Sequence, residues 1–283
     1  MMWLLEPLQY SFMQQALLIA ISVSIPCAIL SCLIVLKGWS LMGDAIAHGI
    51  LPGVVIAAWL GMPLWIGAFA AGLVCALGSG WLHRHSVIRA DTLLGIVFAG
   101  MFALGIILYI RMGSAQHLTH ILFGNLLGVD APTRAQALWM SALVIIVMAI
   151  KGRDFLLFVF DEVQARVAGL PTGWLYMLLL ALLSLTVVAA LPAVGVVLVV
   201  AMLITPGISA QLVATRFRDM LWIACLLAIL ASTGGIFVSF HLDASPSACI
   251  VLLQGVFFLL MLALRLARQH RHLRQHNPAR EHP

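Results

Sequence analysis

Two ionisable residues, Asp44 and His48, stand one helical turn apart in the otherwise apolar stretch WSLMGDAIAHGILPG. At i and i+4 they project from one face of a helix. An ionisable side chain inside a membrane span is costly unless it is paired or faces water, so two on one face of one turn share a polar task. A carboxylate oxygen and an imidazole nitrogen make a half-site for Mn²⁺, Fe²⁺ or Zn²⁺. The remaining ligands would then come from a second subunit. The alternative is an Asp–His hydrogen bond near the cytoplasmic end of the span, since Lys37 lies only seven residues before Asp44. Gly43, Gly49 and Gly53 flank the pair, and Gly49 and Gly53 form a small-xxx-small face. That face serves either ordinary helix packing or a seam bringing two such helices, and two Asp–His pairs, together.

A second group of residues reads FDEVQARVAGLP, positions 160–171. Asp161 is a good N-cap and Glu162 suits the positive end of a helix dipole. Gly169 fits a C′ position and Pro171 stops the helix soon after. The spacing predicts a capped helix of about two turns on the cytoplasmic face. It is either a handle for a soluble partner or a plain surface connector.

The other histidines carry less weight. His83 and His85 flank Arg84 in a cytoplasmic gap, where water solvates them. His117 and His120 in an outside loop, and His241 with Asp243 in the turn HLDASP, are secondary points where an entering metal could touch. His270, His272, His276 and His282 belong to a basic tail. Cys27, Cys32, Cys75, Cys225 and Cys249 all fall in apolar segments without a CxxC pair and read as small apolar residues. There is no GxxxxGK[ST], no HExxH and no GxSxG in the chain. P-loop ATP hydrolysis and membrane hydrolysis are therefore unsupported, and a non-catalytic protein is expected.

The elements that position these residues follow from composition. Of 283 residues, 63% are hydrophobic and 9% charged, against roughly 25% charged in soluble domains. The solvent for such a chain is lipid. Spans of roughly 20 apolar residues fit 14–36, 41–61, 63–82, 91–110, 134–150, 173–190, 193–213, 219–240 and 246–267. The expectation is an all-α, polytopic transmembrane helical bundle with about nine spans, or eight if 173–213 is one broken span. With the N-terminus outside and the C-terminus inside, thirteen of the fifteen Lys and Arg residues fall on the cytoplasmic side, leaving Arg111 and Arg134 outside. The net charge of +5 thus sets orientation and does not point to nucleic acid. Residues 1–267 form a single membrane domain, and 268–283 a basic, disordered cytoplasmic tail. Residues 1–13 hold Glu6 and no Lys or Arg, so the first span is expected to be retained rather than cleaved.

WSLMGDAIAHGILPG, FDEVQARVAGLP, the proline-kinked ITPGISAQL (204–212) and TGGIFVSFHLDASPSACIVLLQG (233–255) together resemble the metal-type permease family of ABC importers. The similarity runs from about residue 14 to 265 and is nearest to the manganese/chelated-iron branch. Ala248 stands where many members carry glycine. The resemblance implies a dimer of permeases, as a homodimer or with a paralogue. It further implies a cytoplasmic ABC ATPase dimer and a periplasmic or lipoprotein metal-binding protein, in the bacterial inner membrane. It places Asp44 and His48 on the metal path, and the Asp161–Gly169 helix, with Glu162 and Ala165, at the ATPase. No permanently bound cofactor is implied, and the metal is cargo. Two other readings are weighed. An ion-coupled secondary metal carrier would show inverted repeats and several intramembrane carboxylates; Asp44 is the one placed well within a span, with Asp91 and Asp219 at span edges. An ABC permease for a siderophore or cobalamin-type ligand fits the helix count, but the Asp–His pair favours a bare ion.

Overall fold

The computed structural model describes residues 9–39, 41–88, 90–112 and 124–276. All ordered elements among them are helices: α1 Ser11–Lys37, α2 Met42–Gly49, α3 Leu51–Trp59, α4 Leu64–Arg84, α5 Ala90–Met112, α6 Ala131–Phe160, α7 Glu162–Val167, α8 Thr172–Gln211, α9 Phe217–Leu242 and α10 Pro246–His276. Seven segments among the described residues are long and apolar enough to cross a membrane. The chain is a multi-pass membrane protein.

The central elements are α1 and α8. α1 packs against α6, α8 and α9, and α8 also packs against α2, α4 and α10. A straight α8 of 40 residues would reach about 60 Å, twice the roughly 30 Å of a bilayer core. It is not straight. Gly195 has φ 76° and ψ 169°, a conformation essentially closed to residues with a Cβ. Val194 accepts a hydrogen bond from Ser247 Oγ at 3.0 Å, and Gly124 lies against the backbone of 193–195. At the other end of the molecule, Tyr176 meets Trp39 edge-on at 5.5 Å and fills the space beside Gly80. Gly207 meets Ser31, near the same end of α1. Both termini of α8 therefore point to the end where α1 finishes, and α8 is a hairpin with arms 172–194 and 196–211.

The second arm carries its own kink. Pro206 offers no N–H, and the disturbed turn is served from α1. Ser31 Oγ donates to the Ile204 carbonyl at 3.1 Å and accepts from Gly207 N–H at 2.9 Å. Polar backbone groups beside the kink thus find a partner on a neighbouring helix.

Three expected boundaries differ. The segment 41–61 is hitched at Ile50 into α2 and α3, because Pro52 has no N–H for the carbonyl of His48. α6 runs well past the expected 134–150, to Phe160. Lys151 and Asp154 pair at 3.0 Å across one turn, and Phe155 and Phe158 are buried, so KGRDFLLFVF continues the helix instead of opening a loop. At the C-terminus, residue 267 is not an element boundary, since α10 continues to His276. Ala248 sits in the first turn of α10 and the left-handed residue of the preceding turn is Asp243, φ 49°. That turn therefore makes no demand for glycine at 248.

Candidate metal site on α2

α2 puts Asp44 and His48 side by side, with His48 Nε2 3.4 Å from Asp44 Oδ1. Their side chains are 32% and 29% exposed respectively, so neither is sealed in a helix contact. The opposite side of α2 and α3 is packed. Met42, Ala45, Ile46 and Gly49 are buried, and the Ala45 carbonyl accepts from Cys75 Sγ at 3.5 Å. The helix is thus held by its apolar face, leaving the polar one available.

The depth of the pair follows from its neighbours. A Cβ on Gly43 would lie 3.0 Å from Leu203, which is about midway along the second arm of α8. Gly72, near the middle of α4, is closed in by Ile46, Ile50 and Ser184, and Ser184 is near the middle of the first arm. Asp44 and His48 are therefore level with the centre of the bundle, not with its cytoplasmic end. Lys37 is turned away from them, toward Phe158 and Glu162.

α5 supplies a wall that the sequence did not announce. The ring of His48 lies 5.9 Å from Phe98 and 5.3 Å from Phe102, edge-on to the latter. Phe98 and Phe102 are themselves i and i+4, between Gly95, Gly100 and Gly105. Two aromatics on one face of a glycine-flanked span were the available signal.

The glycines around the pair take the plain reading. Gly49 faces Cys75, with Sγ 2.7 Å from where a Cβ would stand, and Gly53 meets the backbone of Gly67. They seat α2 and α3 on α4 of the same chain, so the small-xxx-small face is not free to join two subunits.

The second group forms as expected, though shorter. Asp161, extended at φ −148°, accepts the Val163 and Gln164 N–H groups on Oδ1, both at 2.9 Å. Glu162 pairs with Arg166 one turn on. Gly169, φ 79°, closes the end, and Leu170 N–H bonds back to the Ala165 carbonyl at 3.0 Å. Ala165 is fully buried, whereas Val163 and Val167 are 71% and 84% exposed. Ala165 thus seats the helix, and the outward surface belongs to its neighbours.

Of the remaining candidates, the two among the described residues, His241 and Asp243, do not join the pair. His241 lies at the end of α9 against Phe240, and Asp243 caps that helix. His117 and His120 lie outside the described residues. Among the described residues, no three of His, Cys, Asp and Glu gather where they could hold a metal. The cysteines are free, four buried and Cys225 partly so.

Comparison with known proteins gives a consistent answer. Residues 9–265 match the ABC 3 transport family. The chain is 51% identical over 257 residues to the chelated iron transport system membrane protein YfeD of Yersinia pestis, covering 91% of this chain and 86% of that one. It is 42% identical over 260 residues to the manganese transport system membrane protein MntB of Synechocystis, covering 92% and 85%. Among solved structures, PsaBC from Streptococcus pneumoniae, in complex with Fab, superposes with a TM-score of 0.83 at 37% identity, covering 91% of this chain and 94% of that one.

Proposed function

Because the chain belongs to the ABC 3 transport family, we propose that it is the membrane permease subunit of an ATP-driven importer of divalent transition-metal ions, Mn²⁺ or Fe²⁺ above all, with Zn²⁺ also accepted. The observation that carries this reading is the Asp44–His48 pair, half-open on one face of α2 and level with the middle of the bundle. A cation about 2.1 Å from each ligand atom and spanning their 3.4 Å separation would subtend an angle of about 108°, near tetrahedral. Asp44 compensates the cation's charge and His48 supplies a borderline nitrogen. One chain offers two protein ligands here, so a second permease presenting its own pair, or water, completes the shell. Phe98 and Phe102 shield the imidazole side. Carboxylate and imidazole accept all three metals, so selection falls to the binding protein that delivers them.

The chain crosses the membrane nine times in this reading, N-terminus out and C-terminus in. Two observations support nine over seven. Gly195 divides α8 into two antiparallel arms, and α6 holds no charged residue between 135 and 150 while packing between α1 and α8. Charge supports the orientation. Lys37, Arg166, Arg216 and Arg218 gather at one end and Arg134 at the other. Exposed tryptophans mark both levels, Trp59 at the outer and Trp81, Trp174 and Trp222 at the inner. The chain hydrolyses nothing itself. α7 faces a cytoplasmic ABC ATPase dimer through Val163 and Val167, capped by Asp161 and Gly169 and braced by Glu162. Metal arrives outside from a periplasmic or lipoprotein binding protein, across the bacterial inner membrane.

The test is Asp44→Ala. Cells carrying it should insert the chain and assemble the ATPase normally yet accumulate Mn²⁺ no faster than cells lacking the gene. Metal content at the wild-type level would remove Asp44 from the path.

A further inference from the structure

Lys37, the last residue of α1, is a charged group that the metal site does not use. Its side chain is only 17% exposed. The ammonium donates to the Phe158 carbonyl at 3.2 Å, lies 4.4 Å from the centre of the Phe158 ring and stands 3.8 Å from Glu162 Oε2. The Phe158 carbonyl is one of those left over where α6 ends. Its helical donor would be the N–H of Glu162, but the chain turns to an extended conformation at Asp161. Lys37 thus supplies from α1 the hydrogen bond that the α6–α7 break withholds, and its charge shares with Arg166 the carboxylate of Glu162, the first residue of α7.

The same end of α1 also holds the metal helix. Gly38, φ 74°, turns the chain. Trp39 follows, edge-on to Tyr176 at the start of α8, and its carbonyl accepts the N–H of Met42, the first residue of α2, at 3.0 Å. Residues 37–39 therefore touch the chain just before α7, α7 itself, and the second turn of α8 that follows it, and α2 with Asp44 and His48 hangs from their far side. An element moved at α7 has a direct mechanical route to the pair.

We propose that Lys37 is a positioning residue that couples displacement of α7 to the Asp44–His48 helix, so that its charge sets how much metal moves per ATP. This rests on the importer reading above. The experiment uses proteoliposomes holding the chain with the ATPase and binding protein of its transporter. Mn²⁺ uptake and ATP hydrolysis are measured in the same vesicles. Lys37→Met keeps the stem and removes the charge, and Lys37→Arg keeps the charge. Lys37→Met should assemble and hydrolyse ATP at the basal wild-type rate while the Mn²⁺ carried per ATP falls about tenfold, the scale of one charged hydrogen bond; Lys37→Arg should restore most of it. The proposal is overturned by an unchanged Mn²⁺-per-ATP ratio in Lys37→Met, including one where both rates fall together as in a misfolded complex. A failure of Lys37→Arg to rescue overturns it too. Wild-type vesicles without ATP-dependent uptake would instead refute the importer reading, and the inference with it.

Discussion

Asp44 and His48 were legible in the sequence as a pair, because i,i+4 spacing depends only on the helix they share. Their depth was not. It is set by Leu203, Gly72 and Ser184, residues far along the chain whose register no local pattern reveals, and the nearby Lys37 suggested a shallower position. The partners Phe98 and Phe102 were missed for the same reason. The ends of α7 were legible, because capping is local: Asp161 and Gly169 do what their types favour. Removing the cap should therefore have a local price. Asp161→Ala leaves Val163 and Gln164 N–H without their acceptor and should cost about 1 kcal/mol of α7 stability, while Asp161→Asn costs much less. Faster amide hydrogen exchange over 161–168 in the alanine variant alone would show this. Equal protection in both would mean that Ala165 and the flanking helices, not the cap, hold α7.

At the scale of elements, the periodic apolar runs located every long helix but not how two of them bend or extend. The stretch 173–213 reads as two spans or one broken one, and the break itself sits at Gly195, which a run of Val, Ala and Leu around it does not signal. The last turns of α6 are hidden by KGRD, three charges and a glycine, which read as a loop until Lys151 and Asp154 are seen to pair along the helix. The glycines of α3 and α4 carry a sharper consequence. A Cβ at Gly53 would fall on the Gly67 carbonyl, with Ala71 Cβ 2.5 Å away, whereas one at Gly78 meets nothing within 4 Å. Gly53→Ala must push α3 off α4 and should lower the thermal midpoint of the detergent-purified protein by several degrees, overpacking costing about 1–3 kcal/mol. Gly78→Ala, in the same pair of helices, should be neutral or raise it, since alanine is the better helix former by about 1 kcal/mol. Equal midpoints for the two variants would mean the crossing has slack.

At the scale of the whole molecule, orientation joins the residues to the function. In the proposed importer, metal approaches Asp44 from outside and ATP-driven motion reaches α7 from inside. Nine crossings place the start of α1 and the end of α10 on opposite faces, and seven would do the same, but eight would not. Tyr10 and Arg268 are exposed at those two ends. With the native cysteines buried or half-buried in helices, a membrane-impermeant maleimide finds little background. Tyr10→Cys and Arg134→Cys should react in intact cells, where residues 10–13 and the first turn of α6 share one end through the Arg134–Gln15 hydrogen bond of 2.6 Å. Arg268→Cys and Arg218→Cys should react only after the membrane is opened. Labelling of Arg268→Cys from outside together with Tyr10→Cys would require an even count, with either α6 or one arm of α8 not crossing. Labelling of Arg218→Cys and not Arg134→Cys would invert the molecule, and α7 would then face the wrong side of the membrane for any ATPase.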